Sequence, residues 1–222
     1  MSSLRTDHPA LLGRTIFLKT VKPPTDVKRM LQPAASNSKL GAGKTTITRG
    51  RWRGMPMYQL TLEERRTCPT TCQQWNNCYG NGMPFANRLD HKAHTFLSSL
   101  ATEVAGLVTK HPTGFVIRLH VLGDFFSKSY VQFWKKLLRR HTALHLFGYT
   151  HRMPEHPDGI GKKVLELNAL GAWIRFSDRG GDMSANFEGE GIPCPQQTGK
   201  TASCLTCGLC WQTTKPIRFE GH

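Results

Sequence analysis

Between Gly114 and Ser177 short apolar runs alternate with amphipathic stretches, and no other feature constrains the fold of this chain as strongly. Gly114 to Phe126 (GFVIRLHVLGDFF) is dense enough in apolar residues for a strand buried on both faces, ending in a polar turn at Gly123-Asp124. Ser127 then stands where a helix cap belongs. The helix it would open has an apolar face of Tyr130, Phe133, Leu137 and Leu138 and a basic last turn that complements the helix dipole. Leu144 to Tyr149 reads as the next strand, Pro157 to Leu170 as a helix stopped by Gly171, and Ala172 to Ser177 as a third strand. Upstream, Leu89, Ala93, Leu97, Leu100, Val104 and Leu107 recur at helical spacing before His111-Pro112 ends the pattern. Strands separated by helices pair in parallel, which predicts the α/β class with a central parallel sheet. A closed eight-unit barrel takes about 250 residues. With only three or four units, the expectation is a partial or open (β/α) barrel, with ligands at the carboxyl ends of its strands.

The flanks differ from this core. Residues 1–66 are rich in Pro, Gly, Ser and Lys, with short strand candidates at Thr15 to Val21 and Met57 to Leu60, and they predict an extended arm wrapped over the core. The core proper is expected over residues 67–179. Residues 180–222 form a Gly-rich, cysteine-rich tail that would fold around a staple. The arm carries 13 Lys or Arg against 4 Asp or Glu, and the whole chain a formal net charge of +15, which favours nucleic acid or another polyanion as partner. No window reaches the roughly 18 apolar residues of a membrane span, and the start MSSLRTDHP has no apolar signal segment, so no membrane partner is expected and the cytoplasm is the expected location.

Seven cysteines fall into two tight groups. Scattered cysteines would be inert packing. An odd, clustered set without a secretory signal points to reduced metal-binding thiolates rather than disulfides. Cys194, Cys204, Cys207 and Cys210 have the spacing Cys-x9-Cys-x2-Cys-x2-Cys, able to close a tetrahedral zinc site or to ligate a 4Fe-4S cluster fully. The contiguous Cys-x2-Cys-x2-Cys favours iron-sulfur. Cys68, Cys72 and Cys78 (CPTTCQQWNNC) are a trio that would leave one metal position open for a substrate or cofactor, unless His91 or His94 supplies a fourth ligand. The two groups could also share one site.

Other candidates are weaker. Asn37 to Thr46 (NSKLGAGKTT) has Ser38 where a phosphate loop needs glycine, and no buried strand precedes it, so it reads as a flexible basic loop. His120 reads as a satisfied core histidine. Asp124, His151 and Asp178 each follow a predicted strand, where a catalytic group or a turn-forming residue would stand.

Taken together, NSKLG, RTCPTTC with CYGNG, LHVLGDFFS, FGYTH, CPQQ, and CLTCGLCW followed by IRFEGH resemble the phage and prophage gene product 88 family, from about Asn37 to His222. That resemblance implies a phage setting, the host cytoplasm as location and a host protein as a further kind of partner. More distantly the chain is similar to radical S-adenosylmethionine enzymes. This second resemblance implies a 4Fe-4S cluster on Cys68, Cys72 and Cys78 and S-adenosylmethionine contacted at Gly123 and Asp124, although the spacing Cys-x3-Cys-x5-Cys departs from that family's Cys-x3-Cys-x2-Cys. Three functions are therefore expected to compete: a radical S-adenosylmethionine-like enzyme acting on a nucleic acid or nucleotide, a nonenzymatic iron-sulfur or zinc protein that binds nucleic acid, and a host-directed phage factor.

Overall fold

The structure, a computed structural model, describes residues 8–220. In chain order its elements are β1 (Val21–Lys22), β2 (Gln32–Pro33), β3 (Met57–Gln59), β4 (Arg88–Leu89), α1 (Phe96–Lys110), β5 (Phe115–Leu119), α2 (Lys128–Arg140), β6 (Leu144–Thr150), α3 (Ile160–Ala169), β7 (Trp173–Ser177), β8 (Ser184–Asn186), β9 (Ile192–Pro193), α4 (Cys204–Cys207) and β10 (Ile217–Arg218). Eight strands form one sheet in the order β2-β3-β5-β6-β7-β8-β10-β9. Only β2 and β3 pair antiparallel; the other neighbours run parallel, with registers such as Ile117 to Leu146 and Phe147 to Trp173. The end strands β2 and β9 do not meet, so the sheet is open rather than a closed barrel. β1 and β4 make a separate two-stranded parallel pair.

Successive strand residues point to opposite faces, and the two faces of this sheet are covered by different things. Tyr58, Phe115, Ile117, Leu119, Leu144, Leu146, Ile174 and Phe176 share one core cluster with the apolar sides of α1, α2 and α3. Met57, Val116 and Phe147 share the other with Ala34, Leu40, Ile47 and Trp52 of the arm and Leu205 and Trp211 of the tail. Arm and tail together thus stand where a doubly wound fold would place its second layer of helices.

Ser127 caps α2 as expected, accepting from the Tyr130 amide at 3.1 Å. Three expectations are corrected. Thr15 to Val21 is not a strand: the Thr15 amide and hydroxyl bond the Glu63 and Glu64 carboxylates, and Leu18–Thr20 turns as a 3-10 helix before β1. The first long helix starts at Phe96 rather than Leu89, because Leu89 pairs in β4 and Asp90 accepts from the Lys92 amide in a turn. The strand predicted from Gly114 ends at Leu119, where His120 turns out of the sheet at φ +59°. The arm also contributes more than a cover, since β3 lies fully buried inside the sheet beside β5. The tail does likewise through β8, β9 and β10.

Candidate functional site

Strand ends β5, β6 and β7 open into a cavity of about 230 Å³, and both cysteine groups line it. Cys68, Cys72 and Cys78 line it together with Cys194, Cys204 and Cys210, leaving Cys207 outside the lining. His120, Gly123, Asp124, His151 and Asp178 line it as well, so every candidate read from the strand ends shares one space with the thiols. His91 and His94 do not reach it: His91 packs on Phe126 at 4.6 Å between ring centroids.

The first cysteine loop is held to the sheet by the residues expected to do chemistry. The Asp124 amide donates to Thr67 Oγ1 at 3.1 Å, fixing the residue before Cys68. A Cβ on Gly123 would lie 2.5 Å from the same hydroxyl, so only glycine lets the loop approach this closely. The Asp124 carboxylate accepts from the Phe125 amide (2.6 Å) and the Thr150 hydroxyl (2.7 Å) at Oδ1, and from the His151 amide (2.8 Å) at Oδ2. Burial raises its pKa, against the pull of those three bonds. Asp124 therefore ties the end of β5 to the end of β6. His151 Nε2 lies 3.1 Å from the Thr71 carbonyl, and Arg152 Nη2 donates to the Thr67 carbonyl at 2.9 Å, so the two residues that follow β6 hold the loop on both sides of Cys68. On its far side, Arg65 donates to the Trp75 carbonyl at 2.9 Å and to Asn81 Oδ1 at 2.8 Å.

Asp178 differs. It turns at φ +56°, its Oδ1 accepts from the Phe187 amide at 2.8 Å, and its buried Oδ2 has no protein partner. Among the three expected catalytic residues it alone keeps a buried, unengaged carboxylate oxygen at the cavity. His120 is only half satisfied: Nε2 meets the Tyr130 hydroxyl at 3.1 Å, while Nδ1 is buried without a partner. Burial first, and Arg118 second, drive its pKa down to about 3, so the ring is neutral at pH 7.

The second cysteine group is fastened by the arm and by two strand residues. Cys204 and Leu205 donate their amides to the carbonyls of Lys39 (3.0 Å) and Leu40 (3.1 Å), satisfying donors at the start of the capped turn α4. The segment expected to be a flexible basic loop thus has a definite partner. The Cys210 carbonyl accepts from Trp173 Nε1 and Arg175 Nε, both at 2.7 Å. Arg175, fully buried, also donates to the carbonyls of Ser184, Thr213 and Lys215.

All seven thiols are free. Burial pushes Cys72 and Cys204 up to about 11 and Cys210 to about 12; Cys68 and Cys78 are raised too. Neighbouring thiols add to this within each group, Cys72 and Cys78 acting on Cys68, and Cys194 and Cys207 on Cys204. Such close, shielded thiols are the donor set of a soft metal or iron-sulfur group, whose positive charge would replace the protons. Among the described residues no three His, Cys, Asp or Glu side chains are already drawn together around a single ion position. The residues match such a group in kind, and six of the seven thiols line the one cavity.

Lys39, Arg118 and Tyr149 also line the cavity and were not singled out from the sequence. The available signal was Arg118 itself, a charge inside the run FVIRL that must find a partner or a ligand once buried.

The gene product 88 family matches residues 28–180, well over half of the chain. The chain belongs to that family. The match includes the first cysteine group and strands β3 to β7, and ends before Cys194, so the shared part is narrower at its end than the resemblance from Asn37 to His222. No curated protein and no solved structure matches this gene product 88 member. Among the described residues no helix is long and apolar enough to cross a membrane.

Proposed function

We propose that this gene product 88 protein is an iron-sulfur enzyme, an atypical radical S-adenosylmethionine-like one, acting on a nucleotide or a nucleic-acid end. The observation that carries the reading is that two cysteine groups more than a hundred residues apart line one cavity at the carboxyl ends of parallel strands. Cys68, Cys72 and Cys78 would hold a 4Fe-4S cluster with an open position, and Cys194, Cys204, Cys207 and Cys210 a fully ligated one. When bound at Cys68, Cys72 and Cys78, such a cluster would supply single electrons for reductive cleavage of S-adenosylmethionine. The chain's own part is to fix both cysteine loops, keep water out and present polar groups. Asp124 and His151 hold the first loop in position, and the free Oδ2 of Asp178 is the best acceptor for a substrate donor. The size of the cavity, about 230 Å³, lies below the roughly 300–1000 Å³ usual for drug-sized ligands and favours a small group over a polymer.

Anaerobic purification followed by iron, sulfide and zinc analysis tests this, with Cys68→Ala and Cys204→Ala as variants. The expected result is brown protein with about eight iron atoms, half lost in each variant, that yields 5′-deoxyadenosine from S-adenosylmethionine on reduction. Colourless zinc protein would overturn it. A second reading, a nonenzymatic metal protein that binds nucleic acid, draws on the net charge of +15. It requires DNA or RNA affinity that falls steeply with salt.

A further inference from the structure

Lys39 and Arg118 bring two positive charges to the same wall of the cavity, beside Cys194, Cys204 and Cys210. No carboxylate of the described residues pairs with either. Lys39 Nζ sits between aromatic faces, 5.9 Å from the Tyr79 centroid and 5.8 Å from that of Phe219. The Arg118 guanidinium lies 5.5 Å from the Tyr149 centroid, and its Nε is buried without an acceptor. Ring faces orient cations but neutralise little charge, and two like charges facing one small space repel. Of the cavity acids, Glu64 pairs with Arg88 and Asp124 is bound three ways. Among the lining charges, Asp124 and Asp178 act on Cys72, while Arg118 and Lys39 act on Cys204.

We propose that Lys39 and Arg118 form an oxyanion subsite that receives the phosphate monoester of a small substrate beside the second cysteine group. A phosphate matches the pair better than a carboxylate does, since it carries up to two negative charges and offers oxygens both to a fork-shaped guanidinium and to a point-like ammonium. One cation comes from the arm and the other from β5. The subsite exists only when the arm is docked against the tail, so it forms together with the wall that closes it. The assignment rests on the enzyme reading for the chemistry that follows binding, but not for binding itself.

The test is titration of anaerobically purified full-length protein with inorganic phosphate by calorimetry, with acetate at equal ionic strength as the carboxylate control, and iron content read on every sample. Saturable phosphate binding is expected, weakened at least tenfold in both Lys39→Gln and Arg118→Gln with iron unchanged, and partly kept in Arg118→Lys. Absence of saturable binding in the unaltered protein would overturn the proposal, as would equal affinity for acetate or unchanged affinity in both Gln variants. Loss of iron in those variants, with phosphate binding falling only in proportion, would instead make the pair the counter-charge of a metal centre. Should Arg118→Gln fail to fold by circular dichroism, Lys39→Gln, in a turn outside the sheet, decides the matter alone. Iron-free native protein that binds phosphate would refute the cluster reading and leave the subsite standing.

Discussion

Arg88 donates from Nε and Nη2 to the two oxygens of Glu64, at 2.6 and 3.1 Å, with the side chains 0% and 1% exposed. The remaining Arg88 donors go to Thr20 Oγ1 and to the carbonyls of Gly80, Met83 and Ala86. A charge pair this deep is weak evidence of stability by itself, but removing one member strands the other in an apolar interior. Arg88→Gln or Glu64→Gln should each cost about 3–5 kcal/mol in urea unfolding. The double variant should cost clearly less than the sum, and full additivity would mean that the pair does not act as a unit.

Arg175 does for the tail what Arg88 does for the first cysteine loop. Arg175→Met leaves the carbonyls of Ser184, Thr213 and Lys215 without this donor, while Cys210 keeps only Trp173. A loss of at least about 3 kcal/mol is expected. On the proposed iron-sulfur reading, metal held by the tail should fall while metal on Cys68, Cys72 and Cys78 remains; equal loss from both would argue for one shared centre.

Acid should weaken the fold through His120. Its folded pKa of about 3 lies below the ordinary value of 6.5, so the unfolded chain binds the proton first and stability falls as pH drops through the window between them. The slope from this group is up to about 1.4 kcal/mol per pH unit. Comparing native protein with His120→Asn, which tolerates the left-handed backbone, should show a shallower decline in melting temperature between pH 6.5 and 5 in the variant. Equal slopes would mean that another group sets the acid limit.

Ser127→Ala removes the side-chain acceptor of the Tyr130 amide at the start of α2. Thermal unfolding should register a loss of about 1 kcal/mol, with metal content untouched.

The helical face of the sheet was legible because the segments that form it carry local signals: the Ser127 cap, the spacing of Leu100, Val104 and Leu107, and the apolar run before His120. The other face was not. Leu40, Trp52, Leu205 and Trp211 form its core without any periodic pattern, since turns and short bridges bring them together rather than a continuous helix or strand. The same contrast holds at the site. Spacing within each cysteine group was visible in sequence, whereas their meeting across one cavity depends on the parallel order that places β5, β6 and β7 side by side. Following a strand, Asp124 read equally as a reacting group or a turn residue; its bonds to Thr150 and His151 come from residues whose proximity only that register creates.

The bonds between arm and tail set an order of events for a chain leaving the ribosome. Thr48 donates its amide to the Leu205 carbonyl at 3.1 Å, and Leu205 donates its amide to the Leu40 carbonyl at 3.1 Å, so one segment waits for another 157 residues further on. The helix-covered half can collapse during synthesis, but the wall that carries Lys39 stays unmatched until Cys204 emerges. A truncated translation product would keep much of the helical core while exposing the buried apolar residues of the arm and three unshielded thiols. Oxidative cross-linking and capture by chaperones are the hazards such a fragment meets, and cellular handling of this protein should be most delicate until Cys204 and Leu205 have emerged.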